Sequence, residues 1–127
     1  MHKLYLDIPP TPKGRPRFSR VGKNVRVHKP AVTAKFEKMV SALCKEQWDA
    51  TPLDGPIKIE LNFYITPPRT VKRKYPTVRP DVDNYVKSVL DGMNTIIYRD
   101  DAQIISLTAN KIYRAESGIE VTIHELH

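Results

Sequence analysis

Leu4, Leu6 and Ile8 alternate with Lys3, Tyr5 and Asp7, the period-two pattern of a half-buried strand. Pro9-Pro10 stops it, because proline cannot donate to a β-ladder. The segment "TPKGRPR" is too rich in proline and glycine for regular structure and reads as a basic loop. "RFSRVGKNVRVH" predicts a two-stranded ribbon turning at Gly22-Lys23-Asn24. After Pro30, the positions Val32, Phe36, Met39, Val40, Leu43 and Gln47/Trp48 recur at helical spacing. They predict an amphipathic helix over roughly 31–48, opened by the proline and ended before Thr51-Pro52.

The clearest strand is 57–65, with Ile57, Ile59, Leu61, Phe63 and Ile65 on one face and Lys58, Glu60, Asn62 and Tyr64 on the other. Pro67-Pro68 closes it, and a basic loop runs to Pro80. A second helix follows, with Val82, Val86, Val89, Leu90 and Met93 as its expected buried stripe. Asp-Asp-Ala-Gln then leads into a strand through Ile105, Leu107 and Ala109. A turn at Glu116-Ser117-Gly118 returns it along Ile119, Val121 and Ile123. The expected order is β-ββ-α-β-α-ββ, an α+β fold in which two helices pack on a mixed β-sheet. At 127 residues, with no repeat or linker, residues 1–127 are expected to form a single domain.

Charge changes this picture more than composition does. The net charge of +7 favours a polyanionic partner, and its distribution is uneven. Between Ile8 and Phe36 there is no acid, but there are Lys13, Arg15, Arg17, Arg20, Lys23, Arg26, Lys29 and Lys35. A second acid-free block carries Arg69, Lys72, Arg73, Lys74 and Arg79. No apolar run approaches ~18 residues, which excludes a membrane-spanning helix. "MHKLYLDIPP" lacks a signal-peptide pattern, so a cytoplasmic location is expected. The single cysteine, Cys44, has no partner for a disulfide or a CxxC site and reads as a small buried hydrophobe. His2, His28, His124 and His127 are scattered and offer no zinc arrangement.

Between the basic blocks and the last strands lies "RPDVDNYVKSVLDGMNTIIYRDD", which holds five of the eight aspartates: Asp81, Asp83, Asp91, Asp100 and Asp101. Helix capping accounts for one or two of them. An ion-paired face through Asp83, Lys87 and Asp91 accounts for others, and Asp100-Asp101 suits a turn. Within one helix Asp81 and Asp83 would point about 200° apart, at ~100° per residue. If Asp81 precedes the first turn, the two carboxylates can meet at the helix N-terminus. A return through Asp100-Asp101 would bring a third beside them. Converging carboxylates at an exposed site call for hard divalent cations such as Mg²⁺.

The run Pro80, Asp81, Asp83, Asn84, Lys87, Asp91, Asp100, Asp101 and Gln103 resembles the signature of the RusA family of Holliday junction resolvases. "IPPTPKGRPR" is similar to that family's opening loop, and the resemblance covers essentially the whole chain. Gly92-Met93 and Asn94-Thr95 depart from the commoner pattern, the latter standing where Asn-Gly is frequent, so the helix is expected to end somewhat differently. The resemblance implies a homodimeric, Mg²⁺-dependent endonuclease of DNA recombination and repair, with Mn²⁺ able to substitute. It would nick four-way DNA junctions in symmetric pairs, and a bacterial or phage origin is expected. It assigns metal binding to Asp81, Asp83 and Asp101, with Asp100 as an additional candidate ligand and Lys87 as the essential lysine. Asn84 and Asp91 belong to the motif, and Asp91 is either a ligand or an ion-pair partner of Lys87.

On this reading Arg69, Lys72, Arg73, Lys74 and Arg79 hold DNA against the site, and Lys13, Arg15 and Arg17 form a second contact. Tyr75 is a wedge at the junction centre or an ordinary packed side chain. Two rivals stand beside it. One is a branched-DNA or flap endonuclease of looser choice; the other is a catalytically silent nucleic-acid-binding module whose aspartates only cap and pair.

Overall fold

The computed structural model describes residues 1–14 and 30–127 with their side chains, and of 15–29 only the backbone of the strands at 17–21 and 24–28. The elements are β1 (His2–Leu6), β2 (Arg17–Val21), β3 (Asn24–His28), α1 (Ala31–Gln47), β4 (Ile57–Ile65), α2 (Val82–Met93), β5 (Ile104–Tyr113) and β6 (Gly118–Glu125). Strands β2 and β3 pair antiparallel as the ribbon anticipated. Gly22 and Lys23 of its expected turn lie outside the described residues.

The other four strands form one mixed sheet in the order β1-β6-β4-β5. β4 runs parallel to β5 and antiparallel to β6, and β1 closes the far side antiparallel to β6. Alternation places an apolar row on β1, β4 and β6, and the registers align those rows; on β5 the matching positions are the exposed Leu107, the half-buried Ala109 and Lys111. Leu4 faces Val121, Leu6 faces Ile119, Leu61 faces Val121 and Phe63 faces Ile119. The helices cover this face, and its side chains are almost fully buried with Phe36, Val40, Cys44, Tyr85, Val89 and Met93. The opposite face carries Lys58, Glu60, Asn62 and Tyr64, which are half-buried.

Three sequence expectations need correction. β5 and β6 run in opposite directions as the turn implied, but they are not neighbours, because β4 lies between them. Periodicity sets which face a strand buries and is silent on which strand it pairs with.

The buried stripe of α2 is also rotated. Tyr85, Ser88, Val89, Gly92 and Met93 face inward, whereas Val82 is exposed and Val86 and Leu90 are half-buried. Small residues win this face because α1 crosses there. A Cβ built at Gly92 would lie 2.7 Å from Val40 Cβ and Cγ1, and Ser41 Oγ donates to Gly92 O at 2.7 Å. In α1, similarly, Thr33, Phe36, Val40 and Cys44 are buried, while Val32 and Met39 are exposed. Burial pushes the Cys44 thiol up to about 12, which keeps it protonated and unreactive at neutral pH.

The sheet's outer edges differ. At β1, the Gln47 side chain at the end of α1 accepts from Tyr5 N at 3.0 Å and donates to Tyr5 O at 2.8 Å, standing in for a neighbouring strand. Among the described residues, the outer edge of β5 has no strand beside it in the sheet.

Candidate active site

α2 starts directly behind the basic loop. Asp81 is its N-cap, with φ −71° and ψ 150°, and Asp83 lies in its first turn. The backbone N–H groups of Asn84 and Tyr85 are taken by Asp81 O, and the Asp81 side chain makes no cap hydrogen bond. The carboxylate that capping would occupy is therefore available for something else. Asp83 and Lys87, one turn apart, are exposed. Among the described residues neither they nor Asp81 is engaged by a side-chain hydrogen bond or ion pair.

The anticipated face linking Asp83, Lys87 and Asp91 does not form. Asp91 takes a different cation: Lys13 Nζ lies 2.8 Å from Asp91 Oδ2 and 2.6 Å from Glu37 Oε1. Burial alone would lower the pKa of this ammonium, but its bonds to Asp91 and Glu37 outweigh that and raise it. Lys13 N also donates to Asn84 O, and Ser88 Oγ donates to Thr11 O. Through Thr11 and Lys13 the N-terminal loop is thus laid along α2. The Lys13 ammonium, counted from sequence among the DNA contacts, is occupied by two carboxylates.

The second acidic pair sits on a short turn. Asp100 caps a single 3-10 turn, Asp101–Gln103, by accepting from Ala102 N at 3.0 Å. Gln103 answers with Oε1, which accepts from the backbone N–H groups of Arg99 and Asp100, both at 2.9 Å. Its Nε2 donates to Leu53 O and Gly55 O at 2.8 and 2.9 Å. One glutamine therefore fixes the turn and ties it to the segment before β4.

The Ala102 N–H and a hydrogen bond to Asp101 hold the Asp100 carboxyl below its ordinary range. That same bond pushes Asp101 upward, followed by desolvation and by the charges of Asp100 and Asp91; the Lys87 charge acts in the other direction. Lys87 and Asp91 are thus within electrostatic reach of Asp101. An open cleft of about 310 Å³ runs beside Asp101, lined by Leu90, Ile104, Ile105, Ser106 and Leu107.

Among the described residues, no three His, Cys, Asp or Glu side chains stand close enough together to hold an ion. The donor chemistry nevertheless fits a hard divalent cation: the side chains on offer at α2 and at the turn are carboxylates, Asp81 and Asp83 at the one and Asp100 and Asp101 at the other. Asp81, Asp83, Asp100 and Asp101 would be the residues to hold it.

Arg69, Lys72, Arg73, Lys74 and Arg79 are all exposed along the loop before α2. Arg73 Nε donates to the Tyr113 hydroxyl at 3.0 Å, which pins that loop to β5. Tyr75 is 62% exposed, with the Lys74 ammonium 5.5 Å from its ring centroid, so it is not packed in the core. Arg15 lies outside the described residues, as does the side chain of Arg17.

α2 ends at Met93, and Thr95 adopts φ 71°. A β-branched residue pays roughly 1–2 kcal/mol in this left-handed region, where glycine pays nothing. Thr95→Gly should therefore raise stability by about 0.5–1 kcal/mol after the added freedom of the unfolded chain is subtracted. The expected sign is a higher urea midpoint with an unchanged slope.

Sequence reasoning named the aspartates but missed Lys111, whose Nζ reaches two carbonyl oxygens just before Asp81. The available signal was a charged residue at an inward position of a strand.

Asp81 and Asp83 at a helix N-terminus, flanked by an exposed basic loop on an α+β scaffold, make an arrangement suited to a polyanionic substrate. Comparison with known proteins agrees. The family model described as endodeoxyribonuclease RusA matches residues 7–124, and the chain belongs to that family. It is an endodeoxyribonuclease. Its relatives include the uncharacterized protein YqaN of Bacillus subtilis (strain 168), 35% identical over 92% of this chain and 91% of that protein. Another is the crossover junction endodeoxyribonuclease rusA of Lactococcus phage r1t, 25% identical over 95% of this chain and 94% of its own length.

Proposed function

We propose that the chain resolves Holliday junctions by paired, symmetric, Mg²⁺-dependent nicks, acting as a homodimer in bacterial or phage recombination and repair. The observation that carries this reading is the unspent state of Asp81, Asp83 and Lys87. In a chain of this family, three charged side chains on one helix start have no structural partner among the described residues. Residues 1–127 act as one domain in a bacterial cytoplasm; among the described residues no helix is long and apolar enough to cross a membrane. The two-fold symmetry of a dimer matches the near-two-fold symmetry of the junction.

Asp81, Asp83 and Asp101 hold Mg²⁺, which Mn²⁺ can replace, and Asp100 keeps the Asp101 turn in place and is an additional candidate ligand. When bound, such a cation lowers the pKa of a water and neutralises phosphoryl charge. Lys87, one turn above Asp83, places an ammonium toward the scissile phosphate and stabilises charge developing on a non-bridging oxygen. Asn84 and Asp91 support the site by fastening the N-terminal loop through Lys13. Arg69, Lys72, Arg73, Lys74 and Arg79 hold the DNA arms, with Arg15 and Arg17 as a second contact. Affinity should therefore fall steeply with salt.

The test is cleavage of a synthetic four-way junction, a duplex and a flap, each with Mg²⁺ or EDTA. Paired nicks on the junction alone, lost in EDTA, support the reading. Equal cutting of flaps would make the protein a general branched-DNA nuclease. Tight binding without cleavage across divalent ions would make it a binding module.

Lys87→Met separates chemistry from surface pairing. An exposed Asp83–Lys87 pair would be worth only ~0.3–0.5 kcal/mol. Loss of a transition-state donor costs about 10²–10³-fold in rate. The expected outcome is that larger loss in single-turnover cleavage, with melting temperature unchanged and at most a small loss of junction affinity.

A further inference from the structure

Lys111 occupies a position that its strand would otherwise give to an apolar residue. In the β4–β5 ladder it lies directly across from Phe63, which is fully buried. Its neighbours on the same face, Ala109 and Tyr113, are half-buried. The ammonium emerges at the edge of this face and donates to two main-chain oxygens, Val78 O and Pro80 O, each at 2.9 Å. These carbonyls bracket Arg79, and the second belongs to the peptide that carries the Asp81 N–H.

A lysine placed for charge balance would meet a carboxylate. Among the described residues Lys111 has no ion pair, and its ammonium meets carbonyls instead. Two bonds from one ammonium fix the orientation of two nearby peptides, which a single bond would leave free to swivel. Arg73, bonded to the Tyr113 hydroxyl, fastens the same loop to the same strand farther along. β5 therefore grips the basic loop at two points, and the grip nearer α2 falls at the residue before Asp81.

We propose that Lys111 is a positioning residue for the site: its ammonium clamps the Val78–Pro80 segment, so that Asp81 leaves it in a fixed direction. The inference rests on the reading of Asp81 as a metal ligand. Lys111 itself touches neither substrate nor metal and acts through the main chain. Groups that orient ligands commonly set metal affinity by tenfold to a hundredfold, and small misplacements of reacting groups cost comparable factors in rate.

The test compares wild type, Lys111→Met, Lys111→Gln and Lys111→Arg. Mn²⁺ binding is measured by electron paramagnetic resonance without DNA, and the Mg²⁺ dependence of junction cleavage is measured separately. Lys111→Met should weaken Mn²⁺ binding about tenfold or more and raise the half-saturating Mg²⁺ by a similar factor. Junction binding in EDTA should stay at the wild-type level. Lys111→Arg, which keeps several donors, should recover most of the affinity. Should Lys111→Met fail to fold, Lys111→Gln, which can satisfy only one carbonyl well, is read the same way.

Wild-type Mn²⁺ affinity in a folded Met or Gln variant would overturn the clamp and leave the metal site standing. A wild-type protein that binds no Mn²⁺ would instead overturn the reading of Asp81, and the inference with it. A loss that Lys111→Arg fails to recover, or one that appears equally in junction binding without metal, would reassign Lys111 to general structure or direct DNA contact.

Discussion

Asp83→Asn is expected to yield a folded protein that binds four-way junctions and does not cut them. Asp83 is exposed and makes no side-chain bond among the described residues, so little structure depends on its charge. Its one stabilising role is in the first turn of α2, where a carboxylate meets the positive end of the helix for about 0.3–1 kcal/mol. A bound divalent ion, by contrast, supplies several kcal/mol of charge stabilisation. About 4 kcal/mol corresponds to roughly 10³ in rate, which sets the minimum loss expected in single-turnover cleavage. Junction affinity should hold or rise, since a negative charge facing phosphates has been removed. Cutting within tenfold of wild type would place the metal elsewhere.

Gly92→Leu is expected to cause the largest loss of stability. At this point α2 lies so close to α1 that even a methyl group would sit 2.7 Å from two atoms of Val40 and 3.2 Å from the Glu37 carbonyl. The obstruction is a branched side chain near its root together with main chain, and neither can swing aside. Overpacking of this kind costs about 3 kcal/mol, a large share of the ~5–15 kcal/mol that holds a domain folded. Gly92→Ala should cost less, because the gain in helix propensity of about 1 kcal/mol offsets part of the clash. Urea titration of the three proteins distinguishes these outcomes; a Leu variant within about 0.5 kcal/mol of wild type, the scatter of neutral surface changes, would show that the helices can separate freely. Parting them would also draw Asp91 and Glu37 away from each other and loosen their shared hold on Lys13. Cleavage should then fall together with stability.

What the sequence revealed followed from local physics. Strict alternation in 57–65 and at Ile119, Val121 and Ile123 of β6 leaves one choice of face, so those strands were legible. So was the start of α2, since Pro80-Asp81 is a strong helix-opening pair. Of the buried stripe of α2, Val89 and Met93 were legible and the rest was not, because counting hydrophobes favours valines, while a close helix crossing selects Ser88 and Gly92 for their size. The position of β5 across β4 from β6 was invisible, because alternation carries no record of pairing partners. In the site, contiguous spacing marked the aspartates and Lys87. Lys13 with Asp91, Gln103 with Leu53 and Lys111 with Pro80 depend on contacts between distant segments. Those contacts decide which charged groups are spent on structure and which remain for chemistry.

The strand order also governs when this molecule can exist during its synthesis. β1 precedes every other described element along the chain, yet it pairs in the sheet with β6, the last of them. While the chain is still emerging from a ribosome, Leu4 and Leu6 have no strand to pair with, and α1 has only a partial surface to rest on. A pairing that spans nearly the whole chain is slow to find and leaves apolar surface exposed until it forms. The sheet that carries the acidic turn therefore completes only once β6 has been released.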